Sequence, residues 1–145
     1  FQDATISTEG VEVDIILSVT PNWEVLASGA TLDYDRPDGT VPENAHKHTA
    51  ALFSRYTFEG GRLGGLTIGG GFNWKSSAPI EDSNFVIADD YYTIDAFARY
   101  AWRDYELSFN ISNLTNELYL NRAVNQNTIF YGPERLWKIK LTRRF

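Results

Sequence analysis

The sequence contains no cysteine and no methionine in its 145 residues. Without cysteine it has no disulfide, no thiolate metal ligand and no thiol nucleophile. Because it lacks methionine and begins with Phe1, we expect a processed or partial chain. Basic residues are outnumbered, 13 Lys and Arg against 19 Asp and Glu, for a formal net charge of -6. Such a surface suits phosphate backbones poorly, so no nucleic acid partner is expected.

Long apolar runs are missing as well. The longest, such as residues 50–53, have four residues, whereas a membrane-spanning helix needs about 20. A helical membrane protein is therefore excluded. The test does not apply to membrane β-barrels, whose strands need an apolar residue only at every second position.

Alternation of apolar and polar residues is what the sequence does contain. Residues 105–112 show it most clearly, with Tyr105, Leu107, Phe109 and Ile111 separated by polar residues. This period of two predicts strands with one apolar and one polar face. We predict an all-β chain of seven strands, in residues 11–19, 23–34, 48–58, 66–75, 92–102, 105–112 and 137–145.

Two of these segments alternate less regularly, and Ile16 and Phe97 break the pattern in two others. For residues 23–34 the better apolar face is predicted to be Leu26, Ala30, Leu32 and Tyr34, and for residues 48–58 it is Ala50, Leu52, Tyr56 and Phe58.

The connections between predicted strands alternate in length. Residues 21–22, 59–62 and 103–104 are short connections, whereas 35–47, 76–90 and 113–135 are long. This order predicts an antiparallel up-and-down meander with short turns at one end, here called the lower end, and long loops at the upper end. Outer-membrane barrels have this asymmetry, with short turns on the periplasmic side.

The aromatic residues fall at two levels of these strands. From Tyr92 to Trp102 the chain advances ten residues, which spans roughly 25 Å along the membrane normal for a tilted strand. Aromatic rings at two levels around an aliphatic middle are typical of a lipid-facing surface. We predict membrane-interface positions for Trp23, Tyr56, Tyr100, Trp102, Tyr105 and Phe145 at the lower end, and for Trp74, Tyr92 and Trp137, with Tyr34, at the upper end.

Two other classes of protein are open alternatives. In a soluble β-sandwich or barrel that binds carbohydrate or protein, the same apolar faces would point into a shared core. A barrel enzyme would need a nucleophile and a base at one rim, and no such constellation can be assembled from this sequence, so no catalytic residue is predicted.

The C-terminal third carries a family likeness. Residues 109–119, with the pair Asn113-Leu114 followed by Tyr119, resemble the penultimate-strand motif of TonB-dependent outer-membrane receptors. Residues 130–135, Phe-Tyr-Gly-Pro-Glu-Arg, resemble the element before the final strand in siderophore receptors of that family, and the closing strand to Phe145 resembles its assembly signal. Residues 10–13, 21–23 and 48–56 resemble its strand and turn pattern.

The resemblance implies that residues 1–145 are the last seven strands of a larger transmembrane barrel, with the plug domain and earlier strands absent. It implies uptake of a ferric siderophore across a Gram-negative outer membrane, powered through TonB by way of the missing N-terminal part. The implied partners are outer-membrane lipid, the rest of the barrel, the plug and the ligand, with no cofactor. Such a fragment should leave its two end strands unpaired with each other.

Candidate ligand contacts lie in the long loops. Phe85, Phe130 and Tyr131 would offer rings to a planar or apolar ligand surface at the barrel mouth, and the alternative is that they pack the loops together. No metal site is predicted: His46 and His48, and the loop carboxylates Glu81, Asp82, Asp89 and Asp90, are interpreted as solvated polar residues. Gly69, Gly70 and Gly71 lie inside a strand, where small residues allow curvature or packing against a plug.

Overall fold

The computed structural model describes residues 6–125 and 127–144. Within these residues, no helix has the length and apolar character needed to cross a membrane. The elements are β1 (Ser7–Thr20), β2 (Trp23–Asp35), β3 (His48–Thr57), a 3-10 helix (Gly61–Leu63), β4 (Leu66–Lys75), β5 (Ala78–Pro79), β6 (Ile87–Ala88), β7 (Tyr91–Trp102), β8 (Tyr105–Ser112), β9 (Leu120–Asn125), β10 (Thr128–Tyr131) and β11 (Leu136–Arg143).

Seven strands form one antiparallel sheet in the order β1-β2-β3-β4-β7-β8-β11. These are the seven strands that the alternation predicts, and the meander is confirmed. In the described part of the chain, β1 and β11 are the two edges of this sheet and do not pair with each other. The seven-stranded sheet is therefore open, with an unpaired strand edge on either side among the described residues.

The upper loops contain structure that the sequence pattern does not predict. β5 pairs with β6 inside residues 76–90, and β9 pairs with β10 inside residues 113–135. The best-buried apolar residues of the described chain also lie at this end: Ala78, Ile80, Ala88 and Tyr91. The packed core of this chain therefore sits in the loops, above the sheet.

Strand register assigns every residue of the sheet to one of two faces, because residues directly opposite in antiparallel strands share a face. One row contains Tyr56, Ile68, Ala98, Phe109 and Ile139. We call this apolar face the outer face, and the opposite one the inner face. Of the predicted interface aromatics, those from Trp23 to Trp137 lie on the outer face, except Tyr34, which lies on the inner face. Phe145 lies outside the described residues.

The outer face is open to its surroundings. Ile68 is 42% exposed, Leu107 45% and Ile139 71%, and Ala96 is partly exposed. In a soluble sandwich these side chains would be sealed between two sheets. The exposure excludes that arrangement for the described residues, and it is the geometry expected where the apolar face meets lipid.

The predicted face of the second strand is wrong. Leu26, Ala30, Leu32 and Tyr34 oppose Ile16, Glu12, Gly10 and Thr8 of β1, which places them on the inner face. The outer side chains of β2 are instead Trp23, Val25, Ala27 and Thr31. The two faces of this strand differ little in polarity, so composition alone misassigns it, and hydrogen-bonded register with the regular strand β1 decides.

Candidate functional site

Two upper loops, residues 36–47 and 76–90, are joined by hydrogen bonds and an ion pair. The Asn84 side chain accepts a hydrogen bond from the Val41 N–H at 2.7 Å and donates one to the Val41 carbonyl at 2.9 Å. Arg36 Nη1 lies 2.8 Å from Asp82 Oδ1. An Asn side chain that satisfies both backbone groups of one residue acts as a short strand partner, so the loops hold a fixed relative position.

His46 lies where these loops meet the sheet. Its Nδ1 hydrogen-bonds with the Ser76 carbonyl, and its ring meets the edge of Tyr91 with centroids 6.0 Å apart. Partial burial lowers the pKa of His46 below its usual range, with the hydrogen bond to Ser76 acting in the opposite direction. The neutral imidazole is the form that this packing favours.

The third upper loop is closed by the motif residues that the sequence singled out. Asn113, 3% exposed with φ 51°, donates to the carbonyls of Glu117 at 2.9 Å and Pro133 at 3.0 Å, and accepts from the Glu117 N–H at 2.8 Å. The Asn113 N–H itself donates to Asp95 Oδ1 on β7 at 2.8 Å. This one side chain joins both ends of the loop, and its backbone ties them to the sheet.

The second motif packs against the first. The Gly132 N–H donates to the Tyr119 carbonyl at 2.9 Å, and a Cβ at position 132 would overlap the Tyr119 ring. Tyr119 in turn stacks on Tyr91, with centroids 4.1 Å apart, and Arg135 donates its N–H to Asn116 Oδ1 at 2.9 Å. We call Asn113, Asn116, Tyr119, Gly132 and Arg135 the loop base. Its role is to fix the loop that carries β9 and β10.

The three candidate ligand residues lie at the upper end and point into open space. Phe85, between β5 and β6, is 87% exposed, and Phe130 and Tyr131, on β10, are 52% and 58% exposed. The exposure is far larger for Phe85 than for Phe130 and Tyr131, about half of whose surface is covered. It leaves them available to an incoming molecule, on two separate loops.

The polar clusters do not form a metal centre in the part of the chain that the structure describes. Asp82 pairs with Arg36, and Asp90 accepts a 3.0 Å hydrogen bond from the Trp74 indole. His48 Nδ1 lies 3.2 Å from Thr31 Oγ1. These side chains are engaged in joining loops and strands.

The inner face carries an apolar feature that sequence reasoning missed. Ile16, Leu26 and Phe53 oppose one another on three adjacent strands. Phe53 and Phe97 stack with centroids 6.1 Å apart and planes inclined by 7°, although β4 runs between their strands. We call Ile16, Leu26, Phe53 and Phe97 the inner strip. The exceptions to the alternation at Ile16 and Phe97 were its only signal.

Glycines of β4 make the ring stack possible. Gly71 is opposite Phe53 and Gly69 is opposite Phe97. A Cβ on Gly69 would lie 2.6 Å from a Phe97 ring carbon, closer than carbon atoms approach. The groove over this region has a volume of about 540 Å³ and is lined by residues of six strands, so the sheet is concave here. Its other lining includes Asp14, Asn73, Asp95 and Asn110.

The sheet is open and antiparallel, with an exposed apolar outer face and a mainly polar, concave inner face. Its lower turns are short and its upper loops are long and structured. These are the features of a section of a membrane β-barrel. The family comparison specifies which kind. Residues 2–114 match the family model described as "TonB dependent receptor-like, beta-barrel", and the chain belongs to this family.

Curated relatives are receptors of outer membranes. The chain is 27% identical over 150 residues to a ferrichrome outer membrane transporter and phage receptor of Escherichia coli K12, covering 97% of this chain and 20% of the relative. It is 28% identical over 138 residues to a ferripyoverdine receptor of Pseudomonas aeruginosa, covering 88% and 17%. The chain thus spans about one fifth of the length of the curated relatives it matches.

Solved structures share the fold. A ferric yersiniabactin uptake receptor of Yersinia pestis superposes with a TM-score of 0.86 at 16% identity, over 95% of this chain and 23% of that one. A pyoverdine outer membrane receptor of Pseudomonas aeruginosa gives 0.83 at 23% identity, over 97% and 22%. The all-β meander therefore has the same fold as part of these solved chains.

Proposed function

We propose that this chain is the C-terminal wall, with upper loops, of an outer-membrane receptor that imports a ferric siderophore using energy delivered through TonB. The exposed apolar outer face carries the membrane part of the proposal, because a lipid environment would remove the exposed side chains of Leu107 and Ile139 from water. The ligand part is supported by the names of relatives, which are receptors for ferrichrome and pyoverdine. The remaining strands and a plug domain would complete the protein.

The outer-face aromatics are proposed to lie at the two membrane boundaries. Trp74 and Tyr92 are opposite each other near the upper end, and Trp102 and Tyr105 near the lower end. The indole of Trp74 already has a hydrogen-bond partner in Asp90, on the loop side. A ring in the apolar layer with its polar tip turned toward the loops suits a position at the headgroups.

The exposed loop rings are proposed as ligand contacts, and binding tests this directly. In the complete receptor, Phe130→Ala and Tyr131→Ala should each weaken ferric-siderophore affinity about tenfold, the loss typical of an aromatic anchor at an interface. Phe85→Ala should act in the same direction. Leu118→Ala is the matched control, since Leu118 is an exposed apolar residue of the same long loop. Equal affinity of the three aromatic variants and wild type, measured by titration calorimetry, would remove them as contacts.

The inner strip is proposed to be covered by apolar side chains of the plug. Residues 1–145 contain no cysteine, so in a receptor whose other cysteines have been replaced, single cysteines can be placed at Leu26 or Ile16 on the strip, and at Ser108 on the inner face away from it. In the intact receptor, a water-soluble thiol reagent should label the strip positions at least about tenfold more slowly than Ser108→Cys, because a covered thiol is shielded from the reagent. Equal labelling rates would contradict coverage of the strip.

A further inference from the structure

A second groove lies on the lower half of the inner face, over β7, β8 and β11. Its volume is about 560 Å³, and its lining includes the exposed residues Arg99, Lys138 and Lys140. Ser108 of β8 is opposite Arg99 on one side and Lys140 on the other. Lys138 lies on the same face, two residues further up β11. Because neighbouring strands lie about 5 Å apart, the backbones at Arg99 and Lys140 are roughly 10 Å apart. We call this cavity the basic groove.

The basic groove holds more cations than carboxylates. Glu106 lines it, but the Glu106 Oε2 lies 3.6 Å from Nη2 of Arg144, which is outside the lining. Lys138 and Lys140 form no ion pair with any residue that the structure describes. The two lysines therefore keep their charge available to a molecule in the groove.

Arg99 has its own acidic neighbours at the lower end. It borders a further groove whose lining includes Glu24, Arg55 and Glu59. Glu24 Oε2 and Arg55 Nη2 lie 2.8 Å apart and balance each other. Setting the exposed Glu59 wholly against Arg99 still leaves the charge of both lysines. The excess of positive charge in the basic groove thus does not depend on any single residue.

The size and place of the basic groove favour a small anionic molecule as its occupant. Its volume falls within the range of about 300–1,000 Å³ that is typical of small-molecule sites, and its lining also includes Phe97 and Asn110. Basic side chains along a channel wall attract anions and raise their local concentration. Arg99 follows Phe97 of the inner strip toward the lower end of β7. A molecule that moves from the upper loops to the lower end would therefore pass the strip before it reaches the groove.

We propose that the basic groove is an inner binding site for the imported ligand, and that this ligand is an iron complex with several negative charges. Arg99 and Lys140 bind anionic groups on two sides of the complex, and Lys138 binds it from above. The Ser108 hydroxyl and the Asn110 amide donate hydrogen bonds to its oxygen atoms. The site is separate from the exposed loop rings, which make the first contact. The inference rests on the proposed import of a ferric siderophore and specifies the charge of that substrate.

Protection of a thiol in the basic groove tests the site. Ser108→Cys places that thiol in the purified complete receptor, with the other cysteines of the receptor replaced. An uncharged maleimide should modify it more slowly when a ferric complex of three catecholates, which carries three negative charges, is added. A ferric complex of three hydroxamates, which is neutral, should change the rate little. Lys138→Gln together with Lys140→Gln should raise the catecholate complex concentration needed for half protection about tenfold, the loss of two exposed ion pairs. Lys75→Gln is the matched control, because Lys75 is an exposed inner-face lysine near the upper end.

Further arms separate the possible outcomes. Arg99→Gln, on another strand, should weaken protection about threefold, which keeps the test decisive if the double lysine variant does not fold. Equal protection by the two complexes, no protection by the catecholate complex, or an equal loss in Lys75→Gln would each overturn the proposal. A Ser108→Cys thiol that the maleimide cannot reach without any complex would show that the plug covers the groove, and would also overturn it. Labelling reads binding to the groove alone, whereas absence of ferric-siderophore uptake by the unmodified receptor in cells would count against the proposed function.

Discussion

Leu107→Arg should destabilise the complete receptor by about 1–2 kcal/mol in a phospholipid bilayer, because Leu107 lies between mid-depth, where a lipid-facing arginine costs about 2–4 kcal/mol, and the lower boundary, where it costs about 0–1. Leu107 lies on the outer face of β8 between Tyr105 and Ile111, opposite Leu141 and Tyr100. Placing a guanidinium there forces a charge into the apolar layer, where it must bend toward the headgroups or draw water inward.

The neighbouring residue supplies the matched control. Ser108 is on the inner face of the same strand, opposite Lys140 and Arg99. Ser108→Arg should cost clearly less, although it adds a like charge near two others. The guanidinium unfolding midpoint of the receptor in vesicles is the measurement. If Ser108→Arg lowers that midpoint as much as Leu107→Arg does, the assignment of the two faces is wrong.

Asn113→Ala should lower the free energy that it takes to open the third upper loop by about 3 kcal/mol. The substitution removes a buried side chain that makes three hydrogen bonds. The Glu117 N–H and the Pro133 carbonyl then lose this partner, at a cost of about 1–3 kcal/mol for each unsatisfied buried group. Alanine is also strained at φ 51°. Asn113→Gly relieves that strain and should recover about 1 kcal/mol.

Hydrogen exchange of residues 113–135 in the complete receptor measures this opening. A loss of about 3 kcal/mol corresponds to exchange more than about 100-fold faster for the protected amides. Asn110→Ala, the same change three residues earlier on the inner wall, serves as the control. Indistinguishable exchange in the Asn113 and Asn110 variants would show that the loop base does not hold the loop.

The strands are predictable from this sequence because a wall between lipid and an aqueous interior imposes the same alternation on each of them. Predicted segments such as 66–75 and 105–112 coincide with β4 and β8. The face of β2 was not predictable from composition, since Leu26 and Val25 are equally apolar and only the pairing of Leu26 with Ile16 decides. The short sheets of the upper loops escaped prediction because β5 and β6 have only two residues each, and β9 and β10, with six and four residues, show no regular alternation of apolar and polar residues.

The candidate site was predictable only in part. The family likeness identified Asn113, Tyr119 and Gly132 as motif residues, but neither spacing nor composition shows that they pack on one another across about 20 residues of loop. The inner strip depends on a ring stack between Phe53 and Phe97 across a third strand. Contacts of this kind come from sheet curvature and from missing glycine side chains, which no local pattern encodes.

The central claim is that apolar side chains of the sheet face lipid and polar ones face an enclosed interior. Spin labels placed one at a time at residues 105–111 and 137–142 of the complete receptor in a bilayer report this directly, through their relaxation by oxygen and by a water-soluble nickel complex. The claim predicts alternation with a period of two, with oxygen access highest at Leu107, Phe109, Ile139 and Leu141 and lowest at Ser108, Asn110, Lys138 and Lys140. Uniform access along both strands, or oxygen access highest at the lysine positions, would contradict it.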